Sequence, residues 1–194
     1  MTYYARFETI DGHLFRFDTR IYLGKHDASQ SGQCVGAIVA KNPGSAKPTQ
    51  LGVLAPLSLD GDKMLPSVRN RFVAAYQQAN VPIPDNAFVQ VWNLFYLCNP
   101  NLDEACSTIN HFSNALVCPS ESGAPRAVWF AWGGNDSRLR PFKERFISFP
   151  HPSFYYDHHS GEVIKRVPVA EDFAKHPQGL LTGPIVNHLA SLLY

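Results

Sequence analysis

Asn42, Asn93 and His151 each follow an apolar run, and some fifty residues separate each from the next. Asn42 opens the tripeptide Asn42-Pro43-Gly44. Proline pushes the residue before it into extended geometry, so a strand ends sharply there and the Asn42 side chain projects outward. An amide has no accessible basic charge state, so Asn42 is no general base, but its carbonyl oxygen can orient a water molecule. His151 opens His151-Pro152-Ser153. A neutral imidazole N–H can support an anion developing on a leaving group, and removing such a donor costs about 3–4 kcal/mol of barrier. Ser153 offers a hydroxyl to a phosphate. Asn93 carries a donor and an acceptor on one amide, a pattern that reads the edge of a nucleobase with two hydrogen bonds. Structural readings stand beside these: a turn at Asn42-Pro43-Gly44, a loop histidine at His151, and a strand-end cap at Asn93.

The elements that must position these residues follow from the spacing of apolar side chains. Runs at 34–40, 87–93, 126–132 and 145–149 read as four core strands. Residues 66–80 carry Val68, Phe72, Val73 and Tyr76 at helical spacing, ended by Pro82 and Pro84. Residues 102–117 predict a second helix, with Asp103 and Glu104 favourable in its first turn. A short helix or turn over 135–143, interrupted near Pro141, and a C-terminal helix over 183–194 complete the helical segments. Alternation of these elements predicts one mainly parallel sheet with helices on both faces. In such a sheet ligands bind outside the carboxyl ends of the strands, where Asn42, Asn93 and His151 would converge. Asp11-Gly12 between alternating segments predicts an antiparallel hairpin over 2–19. Residues 44–63, rich in Gly, Pro, Ser and Leu without helical period, are expected to fold over the pocket.

A chain of 194 residues fits a single domain, 1–194, with a real core. No run of 18 apolar residues exists and Met1 to Arg6 lacks an apolar signal core, so a cytoplasmic protein without a membrane span is expected. A net charge of +1 gives no global argument for nucleic acid. Locally, Arg138, Arg140, Lys143 and Arg145 are opposed only by Glu144, and this run is either a phosphate contact or a solvated helix face. The four cysteines, at 34, 98, 106 and 118, lack zinc-site spacing and are expected to be free thiols. Asp157-His158-His159 has no partner at metal-ligand spacing, so no metal and no cofactor is expected.

Lys41-Asn42-Pro43-Gly44, Asn93, Trp132-Gly133 and His151-Pro152-Ser153, in that order, resemble the motif series of the uracil-DNA glycosylase superfamily. Pairing Asn-Pro-Gly with His-Pro-Ser resembles its single-strand-selective monofunctional branch, and the wider context resembles an uncharacterised bacterial and phage family within it. The resemblance spans roughly residues 20 to 155. Lys41 departs from the apolar residue usual before the Asn, and Phe154-Tyr155 from the Pro-containing sequence usual after His-Pro-Ser. The resemblance implies an α/β three-layer sandwich around a mainly four-stranded parallel sheet, to which the N-terminal hairpin is added. It implies a metal-independent, monomeric DNA glycosylase that flips a damaged or modified base from DNA and leaves an abasic site, in genome surveillance or antiviral defence. Asn42 and His151 would be catalytic. Lys41, Pro43, Gly44, Ser45, Asn93, Phe95 and Ser153 would surround the base. Arg138, Arg140 and Lys143 would meet phosphates, and Phe154 and Tyr155 occupy the place of the wedge loop. A hydrolase of free nucleotides or nucleosides, and a catalytically inactive nucleic-acid-binding module, are the competing readings.

Overall fold

A computed structural model describes residues 2–44, 47–112 and 116–194. The hairpin is as expected: β1 (Tyr3–Ile10) and β2 (His13–Tyr22) pair antiparallel around Asp11 and Gly12, whose φ angles of 49° and 78° are those of the tight primed turn that Asp-Gly favours. The three apolar runs that follow are β3 (Gln33–Ala40), β6 (Ala87–Asn93) and β7 (Val128–Phe130). The remaining strands are β4 (Lys47–Pro48), β5 (Leu54–Ser58), β8 (Ser153–Tyr156) and β9 (Val163–Ile164). Four helices are described: α1 (Met64–Ala79), α2 (Leu102–Ile109), α3 (Arg140–Ile147) and α4 (Thr182–Ser191).

The expected mainly four-stranded parallel sheet is overturned. The strands form one nine-stranded mixed sheet in the order β4-β5-β1-β2-β6-β3-β7-β8-β9. Among the described residues only β3 with β6, β3 with β7 and β7 with β8 pair parallel, and the other five pairings are antiparallel. The hairpin causes the difference. Instead of decorating a core, it lends β2 to the open side of β6, with Thr19 opposite Val91 and Tyr22 opposite Phe88. β5 then extends the sheet beyond β1, so the middle of the segment 44–63, expected to fold over the pocket, is a strand of the sheet.

Residues 145–149 are not a strand. Phe142, Phe146 and Phe149 are spaced as one face of a helix, and they pack on Phe95 and Trp92 at ring separations of 5.4, 6.3 and 5.3 Å. Pro141 lies in the first turn of α3, where its missing N–H costs nothing, so it starts a helix where an interruption was expected. The fourth parallel strand is β8, one segment later. Helices cover both faces: α1 and α4 pack with Ile38, Val91, Trp129 and Phe154, while α2 and α3 pack with Val39, Trp92, Phe130 and Tyr155. The second helix stops at Ile109, well short of the expected 117, and 113–115 of that span lie outside the described residues. No helix among the described residues is long and apolar enough to cross a membrane.

Candidate functional site

The register aligns the carboxyl ends of the parallel strands. Ala40 of β3 pairs with Asn93 of β6, and Val39 with Phe130 of β7, which pairs in turn with Tyr155 of β8. The amide of Leu94 donates to the carbonyls of both Ala40 and Lys41 at 3.0 Å, stitching the ends of β3 and β6 together. Asn42 and Asn93 therefore sit at one edge, as the apolar runs before them predicted.

The Asn42 Nδ2 donates to the carbonyls of Asn99 (2.8 Å) and Pro43 (3.2 Å). With the NH2 end anchored, the amide oxygen is the end left to accept. Asn93 is completely buried, and neither its Oδ1 nor its Nδ2 has a hydrogen-bond partner. Side chains alternate across a strand. Val91 faces α1, so Asn93 does too. Phe15 and Phe17 face α2 and α3, so Arg16 between them also faces α1.

On that face a cavity of about 260 Å³ opens, lined by Arg16, Asn42, Gly44, His176 and Gln178, and by residues 60–64 at the start of α1. Asp62 caps the helix: its Oδ1 accepts from the amides of Met64 (2.7 Å) and Leu65 (3.3 Å). His176 reaches the cavity because residues 172–176 cross the strand tips. There the Gly133 amide donates to the Ala174 carbonyl at 2.7 Å and the Lys175 amide to Tyr156 at 2.9 Å. The His176 Nδ1 accepts from the Gln178 amide at 3.3 Å, which leaves its proton on Nε2. Burial, aided by the charge of Lys41, pushes its pKa below the ordinary 6.5, so the ring is neutral at pH 7. Gly133 takes a φ of +84°, a backbone conformation that favours glycine, and the Lys41 side chain packs against it.

Other expected site residues are elsewhere. His151 precedes β8. Because Val128 pairs with Ser153, His151 and Ser153 lie at the amino ends of the strands, across the sheet from Asn42. There Ser153 Oγ donates to the His151 carbonyl and the His151 ring lies against Phe149. The placement follows from α3 running on to Ile147, which delays the fourth strand until Ser153, the last residue of the His-Pro-Ser tripeptide. Phe95 is buried against Phe142. Phe154 and Tyr155 are not a wedge loop. They are core residues of β8, Phe154 stacked on Trp129 and Tyr155 donating to Asp172. Lys143 is buried, donating to the Ala170 carbonyl at 2.7 Å with its ammonium 5.1 Å from the Trp132 ring, and so is withdrawn from any phosphate. Arg138 pairs with Asp136 and Asp103, and Arg140 with Glu144 and Glu171. Pro43 is buried at the edge, and Ser45 lies outside the described residues.

Arg16, Asp62, Lys63 and His176 were not anticipated. Arg16 sits at the polar parity of an alternating strand, which ordinarily faces water, and only the placement of β2 inside the sheet buries it. His158 and His159 are exposed and packed on Phe173, and no trio of His, Cys, Asp or Glu among the described residues is disposed to hold a metal ion.

Fold and site together define a mixed α/β protein with a polar cleft at the carboxyl edge of its parallel strands. No protein-family model, curated protein or solved structure is significantly similar to the chain.

Proposed function

We propose that the cleft hydrolyses an N-glycosidic bond and removes a damaged or modified base from DNA. One observation carries the reading: the Asn93 amide, buried with both polar atoms unpartnered, ends β6 opposite Ala40, two residues before the cleft-lining Asn42, where two adjacent parallel strands end. Buried polar groups are nearly always paired, and an unpaired amide is the complement a base edge would satisfy. In the reaction the bond between C1′ and the base nitrogen breaks and its electron pair leaves with the base. Water oriented by the Asn42 carbonyl adds to C1′ and releases its proton to solvent. His176, with its proton on Nε2, takes the part first read for His151 and donates to the base as negative charge develops there.

One observation favours a second substrate form. The cations expected to hold a DNA backbone are ion-paired or buried, which suits a free nucleotide. The test is incubation with oligonucleotides bearing uracil, alkylated bases or phage-type modified cytosines, followed by alkaline cleavage, with base release from nucleotides and nucleosides run in parallel. Strand cleavage at one modified base supports the DNA reading, and a modified cytosine as that base supports antiviral defence. Base release from nucleotides alone supports the second. Binding of DNA without release of any base would leave a binding module and refute both.

A further inference from the structure

Arg16 is 1% exposed, yet its Nε and Nη1 find no acceptor in the protein. A buried cation without a partner is costly, and native proteins ordinarily pair one. Burial lowers the Arg16 pKa, with only Cys98 and Asp62 opposing. Neither accepts a hydrogen bond from its Nε or Nη1. Burial pushes the Cys98 thiol up to about 11, so it carries no charge at neutral pH. Asp62 Oδ1 is engaged by the first amides of α1. The other carboxylate lining the cavity, Asp60, lies 3.8 Å from the Lys47 ammonium. The positive groups left over are Arg16 in the wall and Lys63, exposed on the rim. The amides of α1 already serve Asp62, so the helix terminus adds no free donor at Met64 or Leu65.

We propose that Arg16 is the oxyanion-binding residue of the cleft and holds a phosphate of the substrate, with Lys63 closing over it from the rim. The choice of phosphate over another oxyanion rests on the glycosidase reading, which makes the substrate a nucleotide unit. The phosphate is either a diester of a DNA strand or the monoester of a free nucleotide, and both present the same oxygens to a guanidinium. A cavity of about 260 Å³ is near the lower end of ligand-sized pockets, about 300 Å³.

The experiment reads binding, so it stands or falls apart from base excision. Calorimetric titration and thermal melting of wild type, Arg16→Met, Arg16→Lys and Lys63→Ala are measured with inorganic phosphate, a nucleoside 5′-monophosphate, and a short single strand carrying a tetrahydrofuran abasic analogue. The unphosphorylated nucleoside is the control. Wild type is expected to melt higher with at least one phosphate-bearing ligand than with the control, and the tighter of strand and monophosphate names the source. Arg16→Met is expected to fold and to melt no lower than wild type without ligand, because it removes an unpaired buried charge. It should bind about tenfold or more weakly. Arg16→Lys should retain part of the affinity, and Lys63→Ala should lose a few-fold. The assignment is overturned if no phosphate-bearing ligand shifts wild type, or if Arg16→Met binds as wild type does. It is also overturned if Arg16→Met fails to fold or melts far below wild type while Lys63→Ala leaves phosphate binding untouched, since Arg16 would then be structural.

Discussion

Arg145 and Glu121 form a two-pronged ion pair, Nε to Oε2 at 3.0 Å and Nη2 to Oε1 at 3.2 Å, with the Glu121 side chain only 5% exposed. The same guanidinium donates to the backbone carbonyls of Asn93 (3.0 Å) and Leu94 (3.1 Å), and the Tyr96 hydroxyl donates to Glu121. Burial, and then the Glu121 charge, holds the Tyr96 pKa well above its ordinary value, so it remains a donor. This network clamps the end of β6 from the α3 side, directly behind the unpartnered Asn93 amide.

Arg145→Met is expected to lose about 3–5 kcal/mol of stability, the usual consequence of leaving one buried charge of a pair alone. Urea unfolding measures it. Adding Glu121→Gln to that variant should recover part of the loss, and a single variant within about 1 kcal/mol of wild type would show that the clamp does not hold β6.

Asn93→Leu is expected to fold and to be as stable as wild type or more so, because an unsatisfied buried polar group costs about 1–3 kcal/mol. Base release should nevertheless fall about a hundredfold or more. Denaturation and single-turnover base release, measured on one preparation, check the pair of outcomes. A stability loss of several kcal/mol would mean that the amide is satisfied within the fold.

Asn42→Ala should forfeit the hydrogen bond to Asn99, about 0.5–1.5 kcal/mol, and slow base release by about two orders of magnitude or more. His176→Gln should slow it comparably, whereas His151→Ala should leave the rate unchanged, because His151 lies at the opposite strand ends. A rate loss in folded His151→Ala matching that of Asn42→Ala would return the catalytic role to the first reading.

Burial pushes the pKa values of His176 and His188 below 6.5 in the folded protein. The unfolded chain then binds more protons than the folded one, so stability is fully present above pH 6.5 and declines as pH falls through 6.5 toward the folded values. Unfolding free energy measured between about pH 7.5 and pH 5 should show that decline. His176→Gln and His188→Gln should each flatten it, and an unaltered slope in the double variant would refute the assignment.

Much of the sheet and half of the site were legible in the residues themselves. Alternation around Asp11-Gly12 specified the hairpin, because a period of two and a turn with positive φ are local demands. The apolar runs ending at Ala40, Asn93 and Trp132 specified three strands, the last of them shorter in the fold, Val128–Phe130, and they placed Asn42 and Asn93 at strand ends. The run 145–149 misled because Phe146, Ile147 and Phe149 suit a short strand as well as the last turn of a helix. Phe142 and the packing surface of Trp92 and Phe95 decide in favour of the helix, and with it which edge His151 occupies. Tertiary structure alone decided that β2 pairs with β6 across some seventy residues, converting a core expected to be parallel into a mixed nine-stranded sheet and burying Arg16. It alone carried residues 172–176 across the strand tips and brought His176 to the cleft. Side-chain period records which face of an element is buried. It does not record which element does the burying, because that depends on contacts far apart in the chain whose geometry exists only once the sheet has closed around them.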